Sequence, residues 1–260
     1  MKLATWNVNS LKVRMPHLLA WLATAEVDIV CLQETKTPDD SFPAQELLDA
    51  GYRSHFAGQK TYNGVAILLR DGHVGPARDL VYALPGLEDP QKRLIAATVD
   101  DLRIVCGYFP NGQAVGSDKY AYKLEWLDAL TQWLRGELAE SASLALVGDF
   151  NIAPEDRDVH DPALWAGQVL CSAPERAAFR SLLGLGLVDA FRQFEQPERS
   201  YTWWDYRDLA FRRKMGLRID HILLTPTLGG TCTACDIAVD LRRLERPSDH
   251  APVVATFPQS

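Results

Sequence analysis

No G-x-x-x-x-G-K-[ST] run and no G-x-S-x-G elbow occurs in these 260 residues, which disfavours a nucleotide-triphosphate loop and a serine hydrolase. No apolar stretch approaches the length of a membrane span, so no membrane partner is expected. No glycine, serine or proline tract is long enough to act as a linker, and residues 1–260 are therefore expected to form one domain with a large buried core. Cysteine is sparse and odd in number (Cys31, Cys106, Cys171, Cys232, Cys235), which argues against a disulfide framework. Cys232-Thr-Ala-Cys235 has redox or zinc spacing, but no second ligand pair accompanies it. A surplus of positive charge is also missing: the net charge of −7 argues against coating nucleic acid through bulk charge. The chain opens on Lys2-Leu-Ala-Thr-Trp6, already strand-like, so no leader segment is expected, and with the free cysteines this points to the cytoplasm.

What is present is an ordinary apolar fraction of 47% and a charged fraction of 23%. Strand patterns fall near 3–9, 27–33, 62–70, 94–108 with a turn at Asp100-Asp101, 144–149, 217–224, 232–239 and 250–257. Helical spacing runs from Arg14 to Ala25, and Ser117 opens a second pattern through Tyr120, Leu124, Leu127, Leu130 and Leu134. Ser172-Ala-Pro-Glu175 reads as a capping box before Phe179, Leu182 and Leu183. Tight turns between some strands and helices between others predict mixed sheets, with two sheets packed together and helices outside.

Polar groups recur where these strands end. Ala145-Leu-Val-Gly-Asp-Phe-Asn-Ile152 finishes in Asp149 and Asn151, expected on one face, where an acid can take a proton from water beside an amide that holds the attacked group; an Asx turn is the competing reading. Thr5, Asn7 and Asn9 share one predicted face of the first strand. Ile29-Val-Cys-Leu-Gln-Glu34 ends an apolar run in a carboxylate, costly at the rim of a core unless it is paired or holds a metal. Tyr108 and Asn111 end another run, Asp220 is expected within a strand, and Asp249-His250 precedes the last one. Two metal-capable carboxylates (Glu34, Asp249), amides, a base candidate and an acid–histidine pair suit metal-assisted phosphoester hydrolysis, because Mg²⁺ takes oxygen ligands and keeps several waters. Arg207, Arg212, Arg213, Lys214 and Arg218, against Asp205 and Asp208, form a basic segment beside Trp203-Trp204 suited to phosphate and base contact.

Thr5-Trp-Asn-Val-Asn9, Leu32-Gln-Glu-Thr-Lys36, Tyr62-Asn-Gly64, Gly107-Tyr-Phe-Pro-Asn-Gly-Gln113, Gly148-Asp-Phe-Asn151, Trp203-Trp-Asp-Tyr-Arg207, Arg218-Ile-Asp220 and Ser248-Asp-His250 together resemble the exonuclease III family of abasic-site endonucleases, within the wider endonuclease, exonuclease and phosphatase fold. The resemblance spans nearly the whole chain and implies an α/β, four-layer αββα sandwich with its site where strand ends converge. It implies Glu34 as principal Mg²⁺ ligand, with Mn²⁺ as a substitute, and Asn7, Asn9 and Asp249 as direct or water-mediated contributors. It implies that Asp149 orients and deprotonates water or protonates the leaving oxygen, that Asn151 positions it, and that Asp220 orients His250, a general base or a charge-stabilising donor. The resemblance also implies that Tyr108 contacts the phosphate or aids the leaving group. Trp203 and Leu217 match pocket-lining positions for an extruded sugar without its base, Gln113 and Arg207 match residues entering the duplex, and Lys36, Tyr62 and Asn111 match backbone contacts. The implied partner is double-stranded DNA with abasic sites or blocked 3′ ends, acted on by a monomer. Two rivals are a phosphatase of inositol phosphates or phospholipids, which needs no duplex-entering side chains, and a non-catalytic nucleic-acid-binding regulator, which needs no Glu34, Asp149 and Asn151.

Overall fold

The computed structural model describes residues 1–258. In chain order its first half runs β1 (Lys2–Asn7), α1 (Leu11–Ala25), β2 (Ile29–Gln33), α2 (Ala44–Asp49), β3 (Tyr52–Ala57), β4 (Val65–Arg70), β5 (Ala77–Val81), β6 (Leu94–Val99), β7 (Leu102–Tyr108) and α3 (Asp118–Glu140). The second half runs β8 (Leu144–Asp149), α4 (Pro162–Trp165), α5 (Ala173–Gly184), β9 (Val188–Asp189), β10 (Asp220–Leu224), α6 (Pro226–Gly229), β11 (Ala234–Ile237) and β12 (Val253–Thr256). The strands form two six-stranded sheets, ordered β11-β12-β1-β2-β4-β3 and β5-β6-β7-β8-β10-β9. Both are mixed: β1 pairs parallel with β2, and β7 parallel with β8, among antiparallel neighbours.

The apolar runs follow from burial on both faces. In β2, Ile29 and Cys31 point into the layer between the sheets, while Val30 and Leu32 point outward under α1. In β8, Ala145 and Val147 take the inner layer, while Leu144 and Leu146 meet α3 and α5. A helix of 15 residues is marginal by itself, but α1 buries Leu11, Met15, Leu18 and Leu22, at about 2 kcal/mol per side chain. Ser117 caps α3 by accepting from the Tyr120 amide, and the capping box of Ser172 and Glu175 starts α5.

Three strands carry no clear sequence signal: β3, β5 and β9. All three lie at sheet edges, where one side of the strand lacks a neighbour and the burial pattern is half-exposed, so the apolar run that marks a central strand is absent. Strand ends are also shorter than the sequence pattern predicts: β1 stops at Asn7, β4 begins at Val65 and β10 begins at Asp220. That last shift matters. Because β10 runs antiparallel to β8, its first residue is level with the last of β8, pairing Asp220 with Asp149. Gly148 sits one residue earlier, beside Gly107 of β7, and a Cβ there would lie 1.9 Å from the Gly107 carbonyl oxygen, so only glycine lets these strands approach as they deliver Tyr108 and Asp149.

Beneath the site lies a buried polar network. His221 of β10 donates from Nε2 to the Ile152 carbonyl (2.9 Å) and accepts at Nδ1 from Arg218 (3.1 Å), which pairs with Asp158 and Asp189 at 2.7 and 2.8 Å. Burial, with the Arg218 charge beside it, pushes His221 down to about 4. An unfolded histidine protonates near pH 6.5, so as pH falls from there toward 4 the unfolded chain gains a proton that the folded one refuses. Stability should therefore drop across that window by on the order of 3 kcal/mol from this group alone. Urea midpoints measured from pH 7 to 4 for the parent and for His221→Asn test this; parallel curves would refute it.

Candidate active site

The ends of β1, β2, β7 and β8, the start of β10 and the segment before β12 meet at one rim of the sandwich. At its centre the Asn7 amide donates to both Glu34 Oε1 (2.8 Å) and Asp149 Oδ2 (2.9 Å). His250 is held between two acids, with Nδ1 2.8 Å from Asp220 Oδ2 and Nε2 3.7 Å from Asp149 Oδ2. Asp149 Oδ1 accepts from the Asn151 backbone N–H at 2.9 Å. This is the Asx turn, and it coexists with the acid–amide pair: Asn151 takes a left-handed backbone (φ 51°), so its side chain arrives by a turn and not by strand alternation. Its Nδ2 donates to the Phe109 carbonyl and its Oδ1 accepts from Asn111 Nδ2, both at 3.0 Å, leaving one Nδ2 hydrogen for a ligand.

Asn9 is likewise beyond the strand, at φ 43°, and shares no strand face with Thr5 and Asn7. Its Nδ2 donates to Asp249 Oδ1 (2.9 Å), and Trp203 Nε1 donates to Asp249 Oδ2 (3.1 Å). Lys36 reaches inward, pairing with Glu34 Oε2 at 2.8 Å and donating to Asn9 Oδ1. Glu34 and Lys36 also occupy the left-handed region, at φ 50° and 53°, a conformation costly for side chains of their size and held here by the surrounding bonds.

Charge is arranged by burial against partners. Burial works against ionising Glu34, but the Lys36 ammonium and the Asn7 amide hold it below the usual carboxylate range. Burial raises Asp149 to about 7, with Asp220 and Glu34 adding to the rise and His250 and Asn7 opposing it. For His250, burial disfavours the charged ring, yet the Asp220 and Asp149 carboxylates outweigh it and push the imidazole up to about 10. Burial and the charges of Glu34 and Asp149 keep the Tyr108 phenol well above its ordinary range, so it remains a proton donor.

The donor set suits a hard cation. Glu34 and Asp249 offer carboxylate oxygens on either side of the Asn7 and Asn9 amides, and no thiolate is among them. Both amides spend their N–H₂ groups on carboxylates, so ligation through them would use oxygens that already accept from the Asn9 amide and from Lys36. Asp149, Asp220 and His250 also cluster, with ligand atoms within 4.8 Å of one another, but the His250–Asp220 bond makes that group an oriented imidazole.

The remaining predicted residues spread outward. Tyr62 is 68% exposed, Gln113 and Arg207 are exposed, and Arg207 pairs with Asp205 at 2.7 Å. Trp203 is half-buried, while Leu217 is fully buried in a cluster with Val159, Cys171 and Trp203. Arg218 is fully buried too and committed to Asp158 and Asp189, so the basic segment facing solvent comprises Arg207, Arg212, Arg213 and Lys214 only. Sequence reasoning missed Ser248, whose Oγ donates to the Asn7 carbonyl (2.7 Å), and Thr202, whose Oγ1 accepts from the Ile219 and Asp220 amides. It also missed Lys123, although a lysine three residues after Tyr120 and four before Leu127 falls on the buried stripe of α3 and could have been flagged.

Two face-packed mixed sheets, with carboxylates, amides and an acid-bound imidazole gathered at strand ends, define a class of phosphoester hydrolases. The chain belongs to the endonuclease/exonuclease/phosphatase family, whose model matches residues 4–250, and within it to the exonuclease III group. It is 34% identical to exodeoxyribonuclease III of Haemophilus influenzae, covering 99% of this chain and 100% of that one. Among solved structures, the 3′ phosphatase NExo from Neisseria bound to a product DNA hairpin is 47% identical with a TM-score of 0.96, and each chain is covered completely. An AP endonuclease from Archaeoglobus fulgidus is 37% identical, with a TM-score of 0.94 and complete coverage of both chains.

Proposed function

We propose that this chain is a single-domain DNA-repair phosphodiesterase dependent on Mg²⁺, or on Mn²⁺ in its place, that incises 5′ to abasic sites in double-stranded DNA and trims blocked or ordinary 3′ ends. The observation that carries the reading is the Asn7 amide bridging Glu34 and Asp149, which couples a cation-ready carboxylate to the candidate base within one hydrogen-bonded unit. Glu34, with Asp249 and the oxygens of Asn7 and Asn9, would hold the cation, which when bound supplies charge neutralisation at the phosphate. Asp149 orients the attacking water and takes its proton; the Asn7 and Asn151 bonds fix its two oxygens on the site. Asp220 orients His250 through its Nδ1, and the charged ring and the free Asn151 N–H face the negative charge that develops on the phosphoryl oxygens. Tyr108, kept protonated, donates at the leaving oxygen side.

Substrate contact falls to the outer residues. Lys36, Tyr62 and Asn111 suit the phosphodiester backbone, Gln113 and Arg207 the duplex interior, and Trp203 with Leu217 behind it the extruded sugar, which costs less to unstack when it has no base. The exposed Arg212, Arg213 and Lys214 add phosphate attraction that salt should weaken. A second reading, in which the activity is confined to 3′ ends, is favoured by the 47% identity to Neisseria NExo, described as a 3′ phosphatase and as a 3′-5′ exonuclease. End-labelled duplexes carrying a central abasic analogue, a 3′-phosphate or a recessed 3′ end, each with Mg²⁺, Mn²⁺ or EDTA, separate the two. A metal-dependent cut 5′ to the analogue is the expected result; loss of only the 3′-phosphate and terminal nucleotides would select the second reading. The protein is expected to sediment as a monomer in the same buffer.

A further inference from the structure

Lys123 and Glu175 form an ion pair at 2.5 Å with neither side chain exposed to solvent, and among the described residues no other lysine is buried. The Lys123 ammonium uses all three of its donors: one to Glu175, one to the Asn151 carbonyl (2.6 Å) and one to the Asn111 carbonyl (3.1 Å). Glu175 Oε1 also accepts from the Leu170 amide (3.0 Å), while its Oε2 accepts from the Ser172 amide (3.0 Å) and hydroxyl. Ser172 Oγ, with its own hydrogen given to Glu175, accepts from the Tyr120 hydroxyl at 2.6 Å. Every polar atom of the pair is thus spent on three loops, and two of the three contribute side chains to the site. Stability alone does not account for such a device, since a buried ion pair replaced by apolar residues of similar volume is often no worse.

We infer that the Lys123–Glu175 pair is the positioning element for Asn151 and Asn111, clamping their carbonyls from below so that the Asn111-to-Asn151 amide bond holds the free Asn151 N–H toward the phosphate. Neither Lys123 nor Glu175 touches substrate, and both act through Asn151. The inference rests on the proposed phosphodiesterase reading for its kinetic consequence but not for its structural one. Displacing a transition-state donor by a fraction of an ångström lowers turnover far more than it lowers binding.

The test is the double variant Lys123→Met/Glu175→Leu, which removes both charges and leaves no buried ion alone. It also leaves the Asn111 and Asn151 carbonyls and the Leu170 and Ser172 amides without partners, so its melting temperature should fall while the protein stays folded at the assay temperature, and the backbone amides of 111–112 and 150–153 should exchange faster with deuterium. On the labelled duplex, kcat should fall about tenfold or more, with KM for DNA within about threefold. Should that variant fail to fold, Lys123→Gln/Glu175→Gln, which also removes both charges but keeps a polar group at each position, carries the same test, with a smaller fall in kcat. A folded variant with parental kcat and parental exchange in both loops would overturn the inference. If the parent itself makes no DNA product, the phosphodiesterase reading fails, and the exchange comparison alone decides whether the pair positions the two loops.

Discussion

Asp149→Asn should lower turnover on a nicking or 3′-trimming substrate by about three orders of magnitude or more while leaving the fold and DNA affinity close to those of the parent. The replacement preserves shape, and its single amide oxygen can keep one of the two bonds that Asp149 accepts, from the Asn7 amide or from the Asn151 backbone N–H, while its NH2 faces the other donor. What it removes is the proton acceptor and the negative charge 3.7 Å from His250 Nε2. A site built for water activation loses its base, and the two neighbouring carboxylates are already engaged, Glu34 with Lys36 and Asp220 with His250. The measurement is single-turnover cleavage with saturating protein, which separates chemistry from binding. Near-parental single-turnover rates would remove Asp149 from the chemistry. His250→Ala is expected to be of similar severity, because it also leaves the Asp149 and Asp220 carboxylates facing each other across a vacated ring.

Glu34→Gln is expected to shift the requirement for metal more than any other single change. Gln keeps an oxygen that can accept from Asn7 but loses the charge that attracts a divalent cation, and it leaves Lys36 without its partner. At limiting Mg²⁺ turnover should drop about a hundredfold, with partial recovery as the concentration of metal is raised. The parent treated with EDTA should lose activity and regain it with Mg²⁺ or Mn²⁺. Titrating cleavage rate against Mg²⁺ for both proteins gives the comparison; identical half-saturation points would place the cation elsewhere, with Asp249 the next carboxylate to test. Because Asp249 is held by Asn9 and Trp203 and not by Asn7, its loss should be felt on the substrate side of the rim as well.

The sequence determined more of this protein than its outline. Central strands such as Ile29–Gln33 and Leu144–Asp149 are legible because burial on both faces demands an unbroken apolar run, and the polar residue that ends each run marks the rim of the sandwich. The resemblance to exonuclease III rests on those same strand ends, where chemistry limits which residue types serve. Caps at Ser117 and Ser172 were equally readable, since they are local.

Only the tertiary structure decided the rest, and in each case the reason is that the deciding partner is distant in the chain. Edge strands β3, β5 and β9 form by pairing with a neighbour and carry no strong pattern of their own. Arg218 reads as part of a basic DNA-facing segment until folding buries it between Asp158 and Asp189. Asn9 and Asn151 reach the site through left-handed turns that strand alternation cannot anticipate. Antiparallel pairing of β10 with β8 brings Asp220 level with Asp149, and a histidine 30 residues further along completes the unit. Residue types are local and visible in sequence; the charges they carry and the groups they hold depend on burial and on long-range contacts, which exist only in the folded chain.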